Sequence, residues 1–154
     1  MYDFPENIDY YQRYLDNQDN ESKNDLVYKF LNNIQPYLLN NYLLQILIVD
    51  IDEGYDEQIQ SYIAEHIDLI IGESHEIINL LGEILTTTDI YDANEKLNSI
   101  QEFIESINNN YELIQDNLND ESNQILIKYI ELIKKYTNDL RVFLIIIPPP
   151  QPIV

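Results

Sequence analysis

The chain has no cysteine, which excludes disulfides, thiolate zinc sites and thiol nucleophiles. Glycine is almost as scarce, with three residues in 154, and no Gly-rich phosphate loop and no GxSxG segment occurs. Long apolar runs are missing too. The two longest, "LLQILIV" (43–49) and "VFLIII" (142–147), fall well short of the ~20 residues that span a bilayer. The opening "MYDFPENIDYYQRYL" lacks the basic segment and apolar core of a signal peptide and is too acidic for a mitochondrial transit peptide. A cytoplasmic protein, of the source or of a host cell, is therefore the expectation.

Positive charge is the next shortage. Eight Lys and Arg stand against 28 Asp and Glu, for a formal charge of −20 and an isoelectric point near 4.1. Between Lys29 and Lys96 there is no base but there are thirteen acids, and residues 97–127 again hold none. Such a field repels nucleic acid and anionic lipid and steers basic partners inward. Acidic chains are often disordered, but 26 isoleucines in periodic array supply the apolar surface that disordered segments lack. At this length one domain can bury roughly 68–70% of its unfolded surface, so residues 1–147 read as a single all-helical domain, followed by a Pro-rich tail over 148–154.

The clearest element is "ANEKLNSIQEFIESINNNYELIQDNL" (93–118), whose apolar positions Ala93, Leu97, Ile100, Ile104, Ile107, Tyr111, Ile114 and Leu118 recur at alternating steps of four and three. That is one face of a helix, expected from Asp89 to Asn119, with three consecutive asparagines (108–110) favouring a kink because their helix propensity is low. A last helix, 121–147, repeats the spacing with Leu126, Tyr129, Ile133, Tyr136, Leu140 and Phe143. The two are expected to form a long antiparallel hairpin, with the seam of the first facing the second. Self-association through that seam, as a homodimer, is the alternative; the flanking amides Asn94, Gln101, Asn108 and Gln115 lack the opposed charges that set coiled-coil pairing.

Upstream, the pattern predicts a short helix over 6–17, a polar turn at "NQDNES", and a second helix opened by Ser22 with Asp25 and closed by Pro36. A third, very apolar helix, "PYLLNNYLLQILIVDIDE", begins at Pro36, although "ILIVDID" also suits a buried strand. Residues 55–86 read either as one helix or as two divided at Gly72, with Ser74 as the new N-cap. The sum is an all-α bundle of about six to seven helices. The tail "PPPQP" should adopt polyproline II.

Reactive constellations are weak. His75-Glu76 begins like a zincin HExxH, but position 79 is Asn. Neither His66 nor His75 has an acid three residues before it, as di-iron bundles require. His66 lies on the apolar stripe, where a hydrogen-bonded core histidine is the ordinary reading. "DIDEGYDE" (50–57) fails the EF-hand pattern, because aligning Gly54 at the sixth position puts Val49 and Ile51 at ligand positions. No enzyme, no cofactor and no metal is expected.

Carboxylates on helix backs remain. Glu95, Glu102 and Asp116 repeat at one outward position of the seam helix, and Glu105 and Glu112 at its neighbour; Asp56, Glu57, Glu65 and Asp68 could share that face from an adjacent helix. Solvated faces usually alternate sign, and this one has only Lys96. The expectation is a non-enzymatic acidic binding protein that occupies a basic surface of a protein partner, as an inhibitor, immunity protein, antitoxin or nucleic-acid mimic does, with no direct binding of nucleic acid or membrane. The alternatives are a helix-binding groove of viral-regulator type around residues 38–49, or a self-assembling helical hairpin. Asn, Ile and Tyr enrichment suggests an AT-rich coding source such as a phage, virus or low-GC bacterium.

Overall fold

A computed structural model describes residues 14–39 and 57–146. Within them the chain forms four α-helices: α1, Asn17–Leu39; α2, Glu57–Thr86; α3, Ile90–Ile114; and α4, Asp120–Ile146. A single 3-10 turn, Gln115–Asn117, follows α3. The only strand-like pairing among the described residues is an isolated antiparallel bridge between Tyr14 and Asp89.

Contacts between named residues give the direction of each helix. Lys96 approaches Glu83 beside the short α2–α3 connection, whereas Asn110 reaches Glu73 and His66 farther along, so α2 and α3 run antiparallel. Tyr111 meets Asn123 near the α3–α4 turn and Asn98 meets Arg141 at the other end, so these two are antiparallel as well. The ring pairs Phe30–Tyr136 and Tyr37–Tyr129, with centroids 5.6 and 5.0 Å apart, lay α1 antiparallel to α4. Since α1 also packs on α2, the four helices close a cyclic arrangement in which each touches two neighbours. This is an up-down-up-down bundle.

Apolar periodicity explains the core. Ala93, Leu97, Ile100, Ile104, Ile107, Tyr111, Ile114 and Leu118 are all buried. They meet Ile63, Ile67, Ile70, Ile77, Leu81 and Ile84 of α2, Leu126, Tyr129, Ile133, Tyr136, Leu140 and Leu144 of α4, and Val27, Phe30 and Ile34 of α1 in one cluster. In the last helix Leu144 takes the buried position, and Phe143 is only partly covered. The seam of α3 packs most extensively on α2, and less on α4. Its main partner is therefore the preceding helix and not the final one.

Several expected boundaries are corrected. Residues 14–16 are not helical, and the stretch expected as a polar turn, 17–22, forms the first turns of α1. Asp16 accounts for this: its side chain accepts the amide of Asp19 at 2.7 Å, which is the N-cap bond that Ser22 was expected to supply. α1 also continues through Pro36 to Leu39. α2 is one helix across Gly72; Ser74, rather than capping a new start, is buried and donates its hydroxyl to the Ile70 carbonyl at 2.7 Å. α3 runs unbroken through its asparagines because their side chains are bonded locally: Asn110 donates to the Ser106 carbonyl and Asn108 to Glu112. Four helices thus occupy the described residues, whereas the expected six to seven were counted over the whole chain. Most of the predicted 6–17 helix, the region 40–53 of the predicted apolar helix with its alternative groove, the acidic turn at 50–56 and the Pro-rich tail lie outside them.

The connections are capped as their sequences suggest. Asp89 accepts the Tyr91 amide at 2.9 Å to open α3, and Asn119 accepts the Ser122 amide at 2.8 Å to open α4. The Thr87–Thr88 link between α2 and α3 is held by the start of α1: the Leu15 amide donates to the Thr88 carbonyl at 2.7 Å, and the buried Lys23 ammonium donates to that of Thr87.

Candidate interaction surface

Charge is unevenly divided among the four helices. α2 carries six acids (Glu57, Glu65, Asp68, Glu73, Glu76, Glu83) and no Lys or Arg; α3 carries five (Asp92, Glu95, Glu102, Glu105, Glu112) and one base, Lys96. α1 and α4 together hold seven acids and six bases. Since α2 and α3 are neighbours and α1 and α4 are neighbours, one side of the bundle is acidic and the opposite side is nearly balanced. Lys96, the one base of this side, lies 3.9 Å from both Glu83 and Asp92, so it offsets one charge of those two carboxylates and the rest of the acids on α2 and α3 have no Lys or Arg on either helix to offset them.

Every predicted site residue within the described region is exposed: Glu57, Glu65 and Asp68 on α2, Glu95, Glu102, Glu105 and Glu112 on α3, and Asp116 in the 3-10 turn. Asp56 lies outside the described residues. The fold does not gather them at one point. With His66 and Glu73 both against Asn110, the register sets Glu57, Glu65 and Asp68 toward the end of the bundle where α3 carries Glu112 and the 3-10 turn after it carries Asp116. Glu95 and Glu102 lie toward the other end, beside the later turns of α2 with Glu76 and Glu83. The result is two clusters along a ridge pair rather than one patch. Glu73, Glu76, Glu83 and Asp92 belong to the surface but were not singled out in the sequence; the base-free stretch 30–95 contains all four of these acids and was the available signal.

Between the helices, one polar contact fixes geometry. Asn110 donates its amide to Glu73 at 3.0 Å and to the Ser106 carbonyl at 2.9 Å, so its carbonyl oxygen is the atom that faces His66 Nδ1 at 2.7 Å. The His66 ring nitrogen in that contact must then carry the hydrogen, which leaves Nε2 as the basic atom of the ring. Tyr62 packs edge-on against the imidazole with centroids 4.6 Å apart. His66 is thus half-buried and hydrogen-bonded, while His75 is exposed.

Two shallow, open concavities border this side. One, about 440 Å³, is lined by Glu57, Gln58, Ser61, Tyr62 and Glu65; the other, about 510 Å³, by Asp89, Tyr91, Asp92, Asn94, Glu95 and Asn98. Both offer mostly acceptors and tyrosine edges, a lining that suits Lys and Arg side chains. Among the described residues no group of three or more His, Cys, Asp or Glu is placed to hold a metal ion, and no helix is long and apolar enough to cross a membrane.

Perturbed titrating groups lie away from this surface or at its edge. Burial lowers the Lys23 amine to about 8 and raises the Tyr129 phenol to about 12, against a smaller opposing effect of its bond to Ser74. Tyr111 is raised by burial first and by the Asp116 charge second. Comparison with protein-family models, curated proteins and solved structures finds no match.

Proposed function

We propose that this protein is a non-enzymatic binding module whose α2–α3 side occupies a basic surface of a partner protein. The observation that carries the reading is the division of charge: eleven acids and one base on two adjacent helices, against near balance on the other two. A uniform need for solubility would spread acids over all four helices; concentration on one side favours a complementary partner.

Charge density narrows the class. α2 is 30 residues long, about 45 Å of helix, so eleven acids amount to roughly one per 4 Å, whereas duplex DNA carries one per ~1.7 Å. A protein surface of ordinary basic density suits this spacing better than a site built for a duplex. An inhibitor, immunity or antitoxin role fits more closely than strict nucleic-acid mimicry.

The test is paired capture from lysate of the source or its host. Wild-type protein and a variant with Glu65→Lys, Asp68→Lys, Glu95→Lys and Glu102→Lys are immobilised and eluted with stepped salt. A basic protein retained by the wild type, released at moderate salt and absent from the variant is the expected result. Partners held equally by both, or released only by detergent, refute the reading.

A further inference from the structure

We infer that the partner element seated on this surface is a single basic amphipathic α-helix lying in the groove between α2 and α3; the inference rests on the acidic-face reading and specifies its ligand. The groove is not uniformly polar. Tyr62 and Leu69 of α2 and Leu113 of α3 are 38%, 47% and 55% exposed. They fall together. Tyr62 stands one turn before His66, which it touches, and Leu69 stands between His66 and Glu73 on the same stripe, while Leu113 follows Asn110 by three residues on the stripe that meets them. With Asn110 bonded to both His66 and Glu73, all three apolar side chains lie within about a turn of one level.

Acids continue from that apolar end. Glu73 lies at the Asn110 contact, and Glu83 and Asp92 converge on Lys96 farther along. From residue 62 to residue 83 the groove runs ~32 Å, the length of a helix of about 21 residues. A helix fits because it presents an apolar stripe and, on both flanks, long Lys and Arg side chains at once; the described residues offer no sheet edge for an extended segment to pair with. A second copy of this chain is disfavoured, since it would set acidic rim against acidic rim in a molecule of formal charge −20.

Three synthetic 21-residue probes test this by calorimetry and amide NMR titration at low and moderate salt. The first is a Leu/Lys peptide with leucines on one helical face, the second has the same composition reordered so that no face forms, and the third is a Leu/Glu helix. The expected result is binding of the first alone at moderate salt, with shifts centred on Tyr62, Leu69 and Leu113. Leu69→Ser with Leu113→Ser should weaken it at least tenfold, and Ile127→Ser, an exposed apolar site on α4, should leave it unchanged; helical circular dichroism checks that each variant folds. Equal binding of the reordered peptide, or equal loss with Ile127→Ser, overturns the groove and leaves the acidic-face reading standing. Failure of both basic peptides at low salt overturns both. Equal binding of the Leu/Glu helix, or dimerisation of the protein through Leu113 without any peptide, overturns the helical basic partner.

Discussion

At the scale of single residues, the buried polar groups are the most informative. Tyr129 donates its hydroxyl to Ser74 at 2.5 Å across the core, and Ser74 passes a hydrogen bond to the Ile70 carbonyl. Ser74→Ala leaves the phenol buried without an acceptor and should cost about 1–3 kcal/mol, more than Tyr129→Phe at about 1 kcal/mol. The double variant should cost less than the sum of the two, because the second change removes the stranded group; denaturant unfolding of the four proteins measures this. Lys23 gives a pH signature. Its amine is lowered to about 8 from 10.5, so between these values the unfolded chain holds the proton more tightly than the folded one, and the folded state gains stability as pH rises. Tyr129 acts oppositely and higher, its contribution present below about 10 and lost as pH climbs toward 12. Thermal melts of wild type and Lys23→Met should therefore diverge in favour of the wild type from pH 8 to 10; a difference that stays constant would show that the amine is not desolvated.

At the scale of elements, side-chain caps decide where helices begin, and interior glycines do not stop them. Gly72 and Gly82 both sit inside α2, and a methyl group at either meets nothing within 4 Å. Gly72→Ala and Gly82→Ala should each raise stability by about 0.5–1 kcal/mol, since alanine loses less backbone freedom in a helix. Asp89→Ala should lower it by about 1 kcal/mol through loss of the α3 cap. The same residues show what the sequence made legible. The four-three spacing of Ala93 to Leu118 identified the buried face of α3 residue by residue, because periodic burial is a local property. Gly72 left one helix or two both open, since a helix-ending glycine and a tolerated interior one have the same sequence; the difference is the packing of Ile67 and Ile70 on one side and Ile77 on the other into a single core. The asparagine run favoured a kink for a related reason: its low propensity is offset by the bonds of Asn108 to Glu112 and of Asn110 to the Ser106 carbonyl and, across the helix pair, to Glu73, the last of which no local pattern reveals.

At the scale of the whole molecule, like charge is the main stress on the fold. Screening should relieve it, so the melting temperature is expected to rise as sodium chloride increases from about 10 to 300 mM, the range in which the Debye length falls from ~30 Å to well under 10 Å. A flat or falling response would mean that the acids are compensated by contacts the charge count does not reveal. The acidic helices were readable from the chain as base-free stretches, whereas their adjacency was not: the sequence pattern paired α3 with the final helix, and only the stronger packing of α3 on α2 brings the acids of both to one side. In an antiparallel bundle the dipoles of neighbouring backbones oppose one another and largely cancel. Among the described helices side-chain charge is then left to polarise the bundle crosswise, about ten net negative charges on one helix pair against about one on the other, across the 8–10 Å that separates packed helices, a transverse moment on the order of 200 debye. A helix pair so charged turns toward a positively charged surface as it nears it, with the near-neutral α1–α4 pair behind, so encounter is oriented before a single contact forms.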